Sequence, residues 1–531
     1  MAPQRAYSDQ QVEKTAPKAR PAVGPELFIG LVGPIGTDLE SLTERLCAAL
    51  QEVQYRTVVI KLSQHLSELK GFGPYPHDEP VYDRYRSLMK AGTRLRRELA
   101  RGDALAFLGV SAVREERYAL TKDRELPQPR QAYILRQLKH PEEVRTFRRI
   151  YGRSFVLFAA YSPRDKRVQS LADRIAISEH TANSDPSRFK AELLIVRDED
   201  EQNFLGGDPK YGQRVQDVFP MADVFVDTSD PQAMSASVER AIHLFFGFPI
   251  ITPSRDEHGM FYAKTAALRS SSLSRQVGAA VTTPGGDILT VGTNEVPKAG
   301  GGLYWEGDDP DDRDFVWRRD VSDEYRRRLV ADVLSRLQKA GWLAQKFQDT
   351  SVGDLVGIAL DAPRGGALQG TRLMDVMEFV RAAHAEMAAI SDASRRGIAI
   401  DKATLYVTTF PCHECARLIV AAGIARVVFI EPYPKSLAAD LYPEAVSVKG
   451  DGRVGEHVLF EPFVGIAPRR YMDLFEMRGK RKNPDGTLID WNPLAAVPRV
   501  PSDYPLYIPA EQAEADEFEA LLAKKGLRKK S

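Results

Sequence analysis

The chain has 531 residues, which is longer than one ordinary domain and predicts several folding units. Its content of 43% hydrophobic and 27% charged residues is typical of soluble globular proteins, and no apolar stretch is long enough to predict a transmembrane helix. The formal net charge is +0, with 73 basic and 73 acidic residues, which argues against a dedicated nucleic-acid coat protein while leaving room for a local basic site.

The cysteine content points to a reducing compartment. The chain contains three cysteines, Cys47, Cys412 and Cys415, which are too few for a disulfide framework. Cys47 falls in an apolar helical pattern and is expected in a core. We therefore expect a cytoplasmic protein with no membrane partner.

The N-terminal half is predicted to form an α/β domain. It follows a polar, Pro-rich leader, residues 1–24, that we expect to be disordered. Over residues 25–246, continuous apolar runs alternate with helical patterns, which predicts buried parallel strands with crossover helices. The runs are LFIGLVG (27–33), TVVIKL (57–62), ALAFLGV (104–110), FVLFAAY (155–161), ELLIV (192–196) and DVFVD (223–227), followed by a helix over 231–246.

The segment GLVGPIGTDLESL (30–42) lies between a strand and a helix, which is the context of a phosphate-binding P-loop. Backbone N–H groups from Gly33 through Gly36 to Thr37 are candidates to bind phosphate at the helix N-terminus. The lysine of a Walker A motif is missing, and Asp38 would repel phosphate. Three roles stay open for this domain: a kinase, a nucleotide-binding regulator, or an architectural remnant.

A second α/β unit is predicted over residues 255–477, with an insertion at 295–370 and a C-terminal tail at 478–531 that is basic at both ends. We interpret these basic ends as solvated. The predicted helices are 261–273, 323–340, 373–396 and 412–423; the predicted strands are a hairpin over 277–294 with its turn at 284–286, then 404–410 and 426–432.

The most informative motif lies in this second unit. His384-Ala-Glu386 and Pro-Cys412-His-Glu-Cys415 form the H-x-E…P-C-x-x-C signature of zinc-dependent nucleobase and nucleotide deaminases. His384, Cys412 and Cys415 are predicted to bind one catalytic Zn²⁺ and to leave a fourth position for water. Glu386 is predicted to carry protons between this water and the substrate. The alternatives are a closed structural or redox site, or His413 as the ligand in place of His384.

Several segments resemble the deoxycytidylate deaminase family. SRQVGAAV (274–281) is similar to the first core strand of that family, and GTNEVP (292–297) occupies the place of its Gly-Tyr-Asn-Gly-x-Pro motif. The resemblance implies that Asn294 contacts the deoxyribose of the substrate.

Longer segments in both halves resemble the two-domain anti-phage dCTP/dCMP deaminases, in which a P-loop domain precedes the deaminase domain. The segments are RQAYILRQLKHPEEVRTFRRIYG (130–152), GTNEVPKAGGGLYW (292–305), LYVTTFPCHECARLIVAAGI (405–424), EPYPKSLA (431–438) and FEPFVGIAPRRYMDLFEM (460–477). The first of them contains Arg136, Lys139 and His140, which are either nucleotide contacts or a solvated helix end.

This resemblance implies a nucleotide-kinase-like parallel sheet domain at 25–246 and an α/β/α deaminase domain at 255–477. It also implies conversion of dCTP to dUTP and dCMP to dUMP, which would deplete the deoxycytidine nucleotide pool as antiviral defence. Relatives of this kind form dimers or hexamers, and some are inhibited by a partner RNA or a bound nucleotide. The alternatives are a housekeeping dCMP deaminase that supplies dUMP, and a deaminase that acts on nucleic acid.

Overall fold

The computed structural model describes residues 24–76, 79–181, 184–201, 208, 210–361, 366–368, 371–376, 379–433, 436–449, 457–499 and 506–528. The predicted leader lies outside these residues except for Gly24. Within them, no helix is both long enough and apolar enough to cross a membrane.

A parallel sheet forms the centre of the first unit, as the apolar runs predict. Its strands are β1 (Leu27–Val32), β2 (Arg56–Lys61), β3 (Gln131–Arg136), β4 (Phe155–Tyr161) and β5 (Val224–Asp227). They lie in the order β5-β4-β1-β3-β2, with β1 between β3 and β4. The chain therefore passes to one side of β1 before it crosses to the other. The loop after β1 lies at the point where the direction of winding changes.

Helices cover this sheet and correct two of the predicted strands. They are α1 (Leu39–Glu52), α2 (Val81–Leu99), α3 (Ala104–Thr121), α4 (Pro141–Tyr151), α5 (Arg164–Ser178), α6 (Ser184–Glu199), α7 (Val215–Val218) and α8 (Pro231–Phe245). The runs 104–110 and 192–196 lie inside α3 and α6, and the prediction of strands there is wrong. Both helices are buried among other elements, and a short apolar run does not distinguish a buried helix from a buried strand.

The second unit contains a mixed sheet in the order β10-β11-β9-β8-β6-β7. Its strands are β6 (Gly278–Thr282), β7 (Ile288–Thr293), β8 (Thr404–Thr409), β9 (Arg426–Glu431), β10 (Val446–Val448) and β11 (Val458–Pro462). Its helices are α9 (Arg255–Ala267), α10 (Asp314–Trp317), α11 (Val321–Lys339), α12 (Val352–Leu360), α13 (Ala385–Arg396), α14 (His413–Ala421) and α15 (Ala438–Leu441).

The remaining elements follow this sheet or connect its parts. They are β12 (Gly465–Ile466), α16 (Tyr471–Phe475), α17 (Tyr507–Lys525) and the 3₁₀ turns Leu62–Glu68, Gly152–Ser154, Phe219–Met221, Gln345–Phe347, Arg372–Asp375, Pro468–Arg470 and Pro493–Ala495.

The hairpin β6–β7 and its predicted turn are confirmed. The predicted helix over 373–396 begins only at Ala385, because the preceding residue, His384, has an extended backbone.

Two glycines let helices lie against the sheet on opposite faces. A Cβ on Gly278 would come within 2.0 Å of the Ala263 carbonyl oxygen of α9, and one on Gly292 would come within 2.1 Å of the Ala385 carbonyl oxygen of α13. Gly278 pairs one register position away from Gly292, so that the two residues face opposite sides. Gly292 thus fixes the start of α13 directly above β7.

The insertion at 295–370 contributes the helices α10, α11 and α12. Val330 of α11 packs on Val356 and Leu360 of α12 in a small cluster of their own. In the acidic run 308–314, Asp314 pairs with Arg381 near the start of the predicted motif helix. The insertion is therefore attached close to the segment that carries His384.

The two units share a sheet edge and a continuous core. Strand β12, which follows the second sheet in sequence, pairs antiparallel with β5 of the first sheet. Beside this pairing, Asp223 is fully buried and binds Arg148 of the first unit and Arg470 of the second. Apolar residues of α9, β8 and β9 lie in the same cluster as residues of β1 and β3. The units are therefore packed together as one body.

The region predicted as a C-terminal tail contains a helix that packs on the first unit. Phe518 of α17 stacks on Phe107 of α3 with ring centroids 5.2 Å apart. The guanidinium of Arg117 donates to both Glu26 and Glu511, and all three side chains are fully buried. Burial raises the pKa of Glu511, although its hydrogen bond with Arg117 acts in the opposite direction. The tail thus contains a packed helix, while its basic residues Lys524 and Lys525 are exposed, as expected for the basic ends.

Replacing Arg117 by methionine should destabilise the first unit, because it leaves two buried carboxylates without a cation. We expect Arg117→Met to lower the free energy of unfolding by about 3–5 kcal/mol, measured by urea denaturation. The control is Arg124→Met, which removes an exposed arginine that pairs with Glu115 and should change stability by less than about 1 kcal/mol. Equal effects of the two substitutions would contradict the role of the buried network.

His140 caps α4 and should make the fold sensitive to acid. Its Nδ1 accepts a hydrogen bond from the Glu142 N–H, and burial lowers its pKa to about 3. Because an unfolded histidine has a pKa of about 6.5, stability should fall as the pH drops from there towards 3. Between pH 7 and pH 5 the wild type should lose ~2 kcal/mol more than His140→Asn, which retains a capping side chain. Parallel pH profiles in thermal unfolding would refute this assignment.

Candidate active site

The predicted zinc ligands lie at the N-termini of two helices. His384 precedes α13, and its backbone carbonyl accepts from Ala388 N–H while its imidazole takes no part in capping. Cys412 precedes α14, and its sulfur accepts from the Cys415 N–H at 3.4 Å. The positive end of the helix dipole favours a thiolate at that position.

The side chains of these residues converge. The Nδ1 atom of His384 lies 3.3 Å from Cys412 Sγ and 3.4 Å from Cys415 Sγ. All three ligand atoms lie within 4.8 Å of one another, and both cysteines are buried. A hydrogen bond from Cys415, together with one from His384, lowers the pKa of Cys412 to about 4.

The donor set fits a zinc ion. Zinc–sulfur bonds of about 2.3 Å and zinc–nitrogen bonds of about 2.1 Å at a tetrahedral angle require a nitrogen–sulfur separation of about 3.6 Å. The observed separations are within 0.3 Å of that value. Two thiolates and one imidazole are ligands that zinc prefers, and three protein ligands leave one position open. Among the described residues, His413 does not belong to the converging group, so His384 is the histidine that the cysteines meet.

Glu386 lies beside this group without belonging to it. It is the second residue of α13 and is 4% exposed. Burial raises the pKa of its carboxyl to about 7. Such a group can accept and release a proton at neutral pH, which a general acid–base residue requires.

Asn294 lies at the end of β7, next to the segment that holds His384. Its Oδ1 accepts from Val277 N–H at 2.7 Å, and its Nδ2 donates to the Arg275 carbonyl at 2.8 Å. The following residue, Glu295, forms an isolated antiparallel bridge with Ala383. Asn294 therefore shapes the loop before β6, and the second lone pair of its Oδ1 and one N–H of its Nδ2 are left for another contact.

Two supporting residues were missed by the sequence analysis. Ser436 donates from Oγ to the Pro411 carbonyl at 2.7 Å and so supports the loop that leads to Cys412. The buried Glu295 accepts from the N–H and Oγ of Ser271 at 2.9 and 2.6 Å. Ser436 appears in the sequence only within a family-like segment, and no local pattern marks either contact.

The three residues predicted to bind a nucleotide lie together in the first unit. Gly33, Gly36 and Thr37 form the turn between β1 and α1 and line a cleft of about 860 Å³. Gly36 has φ +88°, and a Cβ there would come within 2.6 Å of the Arg167 carbonyl oxygen. This site is far along the chain from the zinc ligands and belongs to the other sheet.

His384, Glu386, Cys412 and Cys415 lie in a region that is similar to known proteins. Residues 253–431 match the family model of the cytidine and deoxycytidylate deaminase zinc-binding region. The matched region, called the deaminase region below after the family it resembles, contains the second sheet as far as β9, the insertion, and all four of these residues.

Individual relatives are similar over short segments. The deoxycytidylate deaminase of Enterobacteria phage T2 is 47% identical over 53 residues, which are 10% of this chain and 28% of that protein. ComE operon protein 2 of Bacillus subtilis is 41% identical over 66 residues, which are 12% of this chain and 35% of that protein. The human deoxycytidylate deaminase is 43% identical over 47 residues, 9% of this chain and 25% of that protein. The chain thus matches about a third or less of the length of these curated relatives.

Among solved structures, one that is similar to this chain is the dCMP deaminase of cyanophage S-TIM5 in complex with dCMP and dUMP. The similarity covers 40% of this chain and 99% of the S-TIM5 chain. Its sequence identity is 17% and its TM-score is 0.22.

The ligand assignment predicts which substitutions remove the metal. We expect about one zinc per chain in the wild type, and its loss in His384→Ala and in Cys412→Ser, because two remaining ligands bind zinc poorly. His413→Gln is the matched control, since His413 is adjacent to Cys412 and outside the converging group. Elemental analysis of the purified proteins measures the content. Zinc retained in His384→Ala and lost in His413→Gln would reverse the assignment.

Proposed function

We propose that the chain is a zinc-dependent hydrolase that deaminates free deoxycytidine nucleotides, dCMP to dUMP and dCTP to dUTP, with release of ammonia. The observation that carries this proposal is the buried carboxyl of Glu386 beside the converging His384, Cys412 and Cys415. The family match of residues 253–431 and the similarity of this region to deoxycytidylate deaminases support the substrate class.

The side chains divide the chemistry between them. Zinc, when bound, supplies the Lewis acidity that makes water a nucleophile near neutral pH. Glu386 removes a proton from the water that attacks C4 of cytosine and delivers it to N3. The same carboxyl then transfers the second proton to the departing amino group, so that the C4–N bond breaks and ammonia leaves. A carboxyl with a pKa of about 7 is suited to both directions of transfer.

Asn294 is proposed to contact the deoxyribose. The two backbone hydrogen bonds of its side chain hold it rigidly at the end of β7, beside the bridge between Glu295 and Ala383. A rigid side chain near His384 can position a sugar at little entropic cost. The uncommitted lone pair and N–H of Asn294 are the groups available for this contact.

The defence role and the oligomeric state are further parts of the proposal. A first unit of roughly 220 residues is joined to the deaminase region by a shared sheet edge and core, which a simple dUMP-supplying enzyme would not need. We propose depletion of the deoxycytidine nucleotide pool during phage infection, by a homo-oligomer, with a regulatory nucleotide in the cleft of the first unit or an inhibitory RNA as the controlling partner. The housekeeping dCMP deaminase is the alternative.

Release of ammonia from a substrate panel tests the proposal directly. The panel contains dCMP, dCTP, CTP, cytidine and single-stranded DNA. We expect turnover of dCMP and dCTP. Activity on dCMP alone would favour the housekeeping alternative, and activity only on single-stranded DNA would overturn both readings.

Substitution of Glu386 separates proton transfer from metal binding. Glu386→Gln should reduce kcat by at least about 10²–10⁴-fold, because the amide cannot accept the proton of the water. Its zinc content should equal that of the wild type, since Glu386 is not in the converging group. Glu414→Gln, at an acidic position next to Cys415, is the control and should retain activity. Wild-type rates in Glu386→Gln would contradict the proton-transfer role.

A further inference from the structure

The cleft of the first unit is built like an anion site at the end of a parallel sheet. It lies where β1, β3 and the turn 33–38 meet, at the point where the winding changes direction. Its volume of about 860 Å³ is that of a small-molecule site. Asp38 also lines the cleft, where its carboxylate caps α1 by accepting from Ser41 N–H and Oγ.

A carboxylate of the chain itself occupies the turn. Oδ2 of Asp198, at the end of α6, accepts a hydrogen bond from the Ile35 N–H at 2.8 Å. Asp198 is 163 residues from Ile35 in sequence and is 1% exposed. A backbone N–H in a turn before a helix is the type of group that binds phosphate oxygens. The Asp198 carboxylate therefore takes the place of an anionic ligand.

A lysine in the loop after β3 supplies the cation that the turn between β1 and α1 lacks. Nζ of Lys139, just after β3, lies 2.9 Å from each carboxylate oxygen of Asp198. The same Nζ donates to the Gly33 carbonyl at 3.0 Å. Lys139 is thus held against the turn, at the anion that the Ile35 N–H also binds.

The remaining charges of the cleft favour an anion larger than one carboxylate. Six basic and three acidic side chains line it: Lys61, Arg84, Arg96, Arg136, Lys139 and Arg174, against Asp38, Glu40 and Asp198. Arg136 is 5% exposed, and its Nη1 donates to Glu40 at 2.8 Å. The buried Nε atoms of Arg96 and Arg136 have no hydrogen-bond partner. An arginine that is buried with an unused donor beside a cleft is a candidate ligand contact.

We propose that the cleft binds a phosphate-bearing ligand of nucleotide size through the Ile35 N–H and Lys139. The Asp198 carboxylate competes with this ligand for the same two groups and must leave them before the ligand binds. Lys139 thereby binds phosphate in place of the Walker A lysine that the turn lacks. This inference deepens the regulatory nucleotide of the proposed function and rests on it for its biological purpose.

Displacement of Asp198 would be transmitted towards the deaminase region. The next residue, Glu199, pairs with Arg167 at 2.7 Å, and both line a second cavity of about 600 Å³ between the two units. On its opposite side this cavity is lined by Phe410 and Ser436, which flank and support Pro411 before the ligand Cys412. Movement of the end of α6 therefore changes the wall that faces the zinc-binding loop.

Binding of ATP and of inorganic tripolyphosphate to the full chain tests the proposal. Neither compound has a cytosine amino group, so the measurement does not depend on deamination. Asp198→Asn should lower the Kd at least about tenfold relative to the wild type, because a nearby negative charge is removed. Asp173→Asn removes an exposed carboxylate from the neighbouring helix α5 and should leave the Kd within about twofold. Isothermal titration calorimetry measures all three proteins.

The double variant Asp198→Asn/Lys139→Met isolates the lysine without leaving a buried carboxylate unpaired. It should bind about 10- to 100-fold more weakly than Asp198→Asn alone, the value of a charge-assisted hydrogen bond. Tightening for both compounds would assign the phosphate chain as the ligand, and tightening for ATP alone would add contacts to the nucleoside. Equal Kd values for wild type and Asp198→Asn would overturn the competitor role. No binding by any variant would overturn the nucleotide site as well, while leaving the deaminase assignment untouched.

Discussion

The zinc site depends on the contact between α13 and strand β7. A helix on a sheet is normally held away by the side chains between them, but Gly292 has none, and a Cβ there would come within 2.1 Å of the Ala385 carbonyl oxygen. That contact fixes the first turn of α13, with His384 just before it and Glu386 just inside it. A side chain at position 292 would displace α13 and move His384 away from Cys412 and Cys415. Because α9 makes the same kind of contact with Gly278 on the other face, the sheet is clamped between two helices and cannot shift to compensate.

Close packing of the same helix, α9, also explains why the two units form one body. Glu257, on the α9 helix that clamps the sheet, is fully buried and accepts from the Ile466 N–H of β12 and from Arg240 of α8. One carboxylate therefore connects the second unit, the shared sheet edge and the first unit. Removing the first unit would expose this group and the apolar faces of α9 and β9. The geometry of the zinc-binding region thus rests partly on residues of the first unit, including Arg240 of α8.

The metal-binding group is predicted from local sequence. The spacing of His384, Cys412 and Cys415 predicts that they converge, and their ligand atoms lie within 4.8 Å of one another; the proton-transfer role of Glu386 stays a prediction. Burial hides the helical period in the run ALAFLGV, which lies in α3 with all its residues buried and with Phe107 stacked on Phe518 of α17. Strand β3, whose side chains are all buried, was not predicted from the sequence either. The pairing of Lys139 with Asp198 joins residues from two different crossovers, and no local pattern predicts it.

Among the described residues, the N-termini of α14 and α1 both favour negative charge, but they use it in opposite ways. At α14 the N-terminus of a helix favours the thiolate of Cys412, and neighbouring donors lower its pKa, so that the anion is ready for a cation. At α1 the equivalent groups are already satisfied by Asp38 and by Asp198, and Lys139 neutralises the latter. An anionic ligand can enter there only by exchange, at a cost set by how well the exchanged carboxylate is solvated afterwards. Because the ligand replaces the Asp198 carboxylate, occupancy of the cleft depends both on the ligand concentration and on the position of the end of α6. A helix end that is also the wall of the cavity between the units is therefore the element through which the first unit can act on the second.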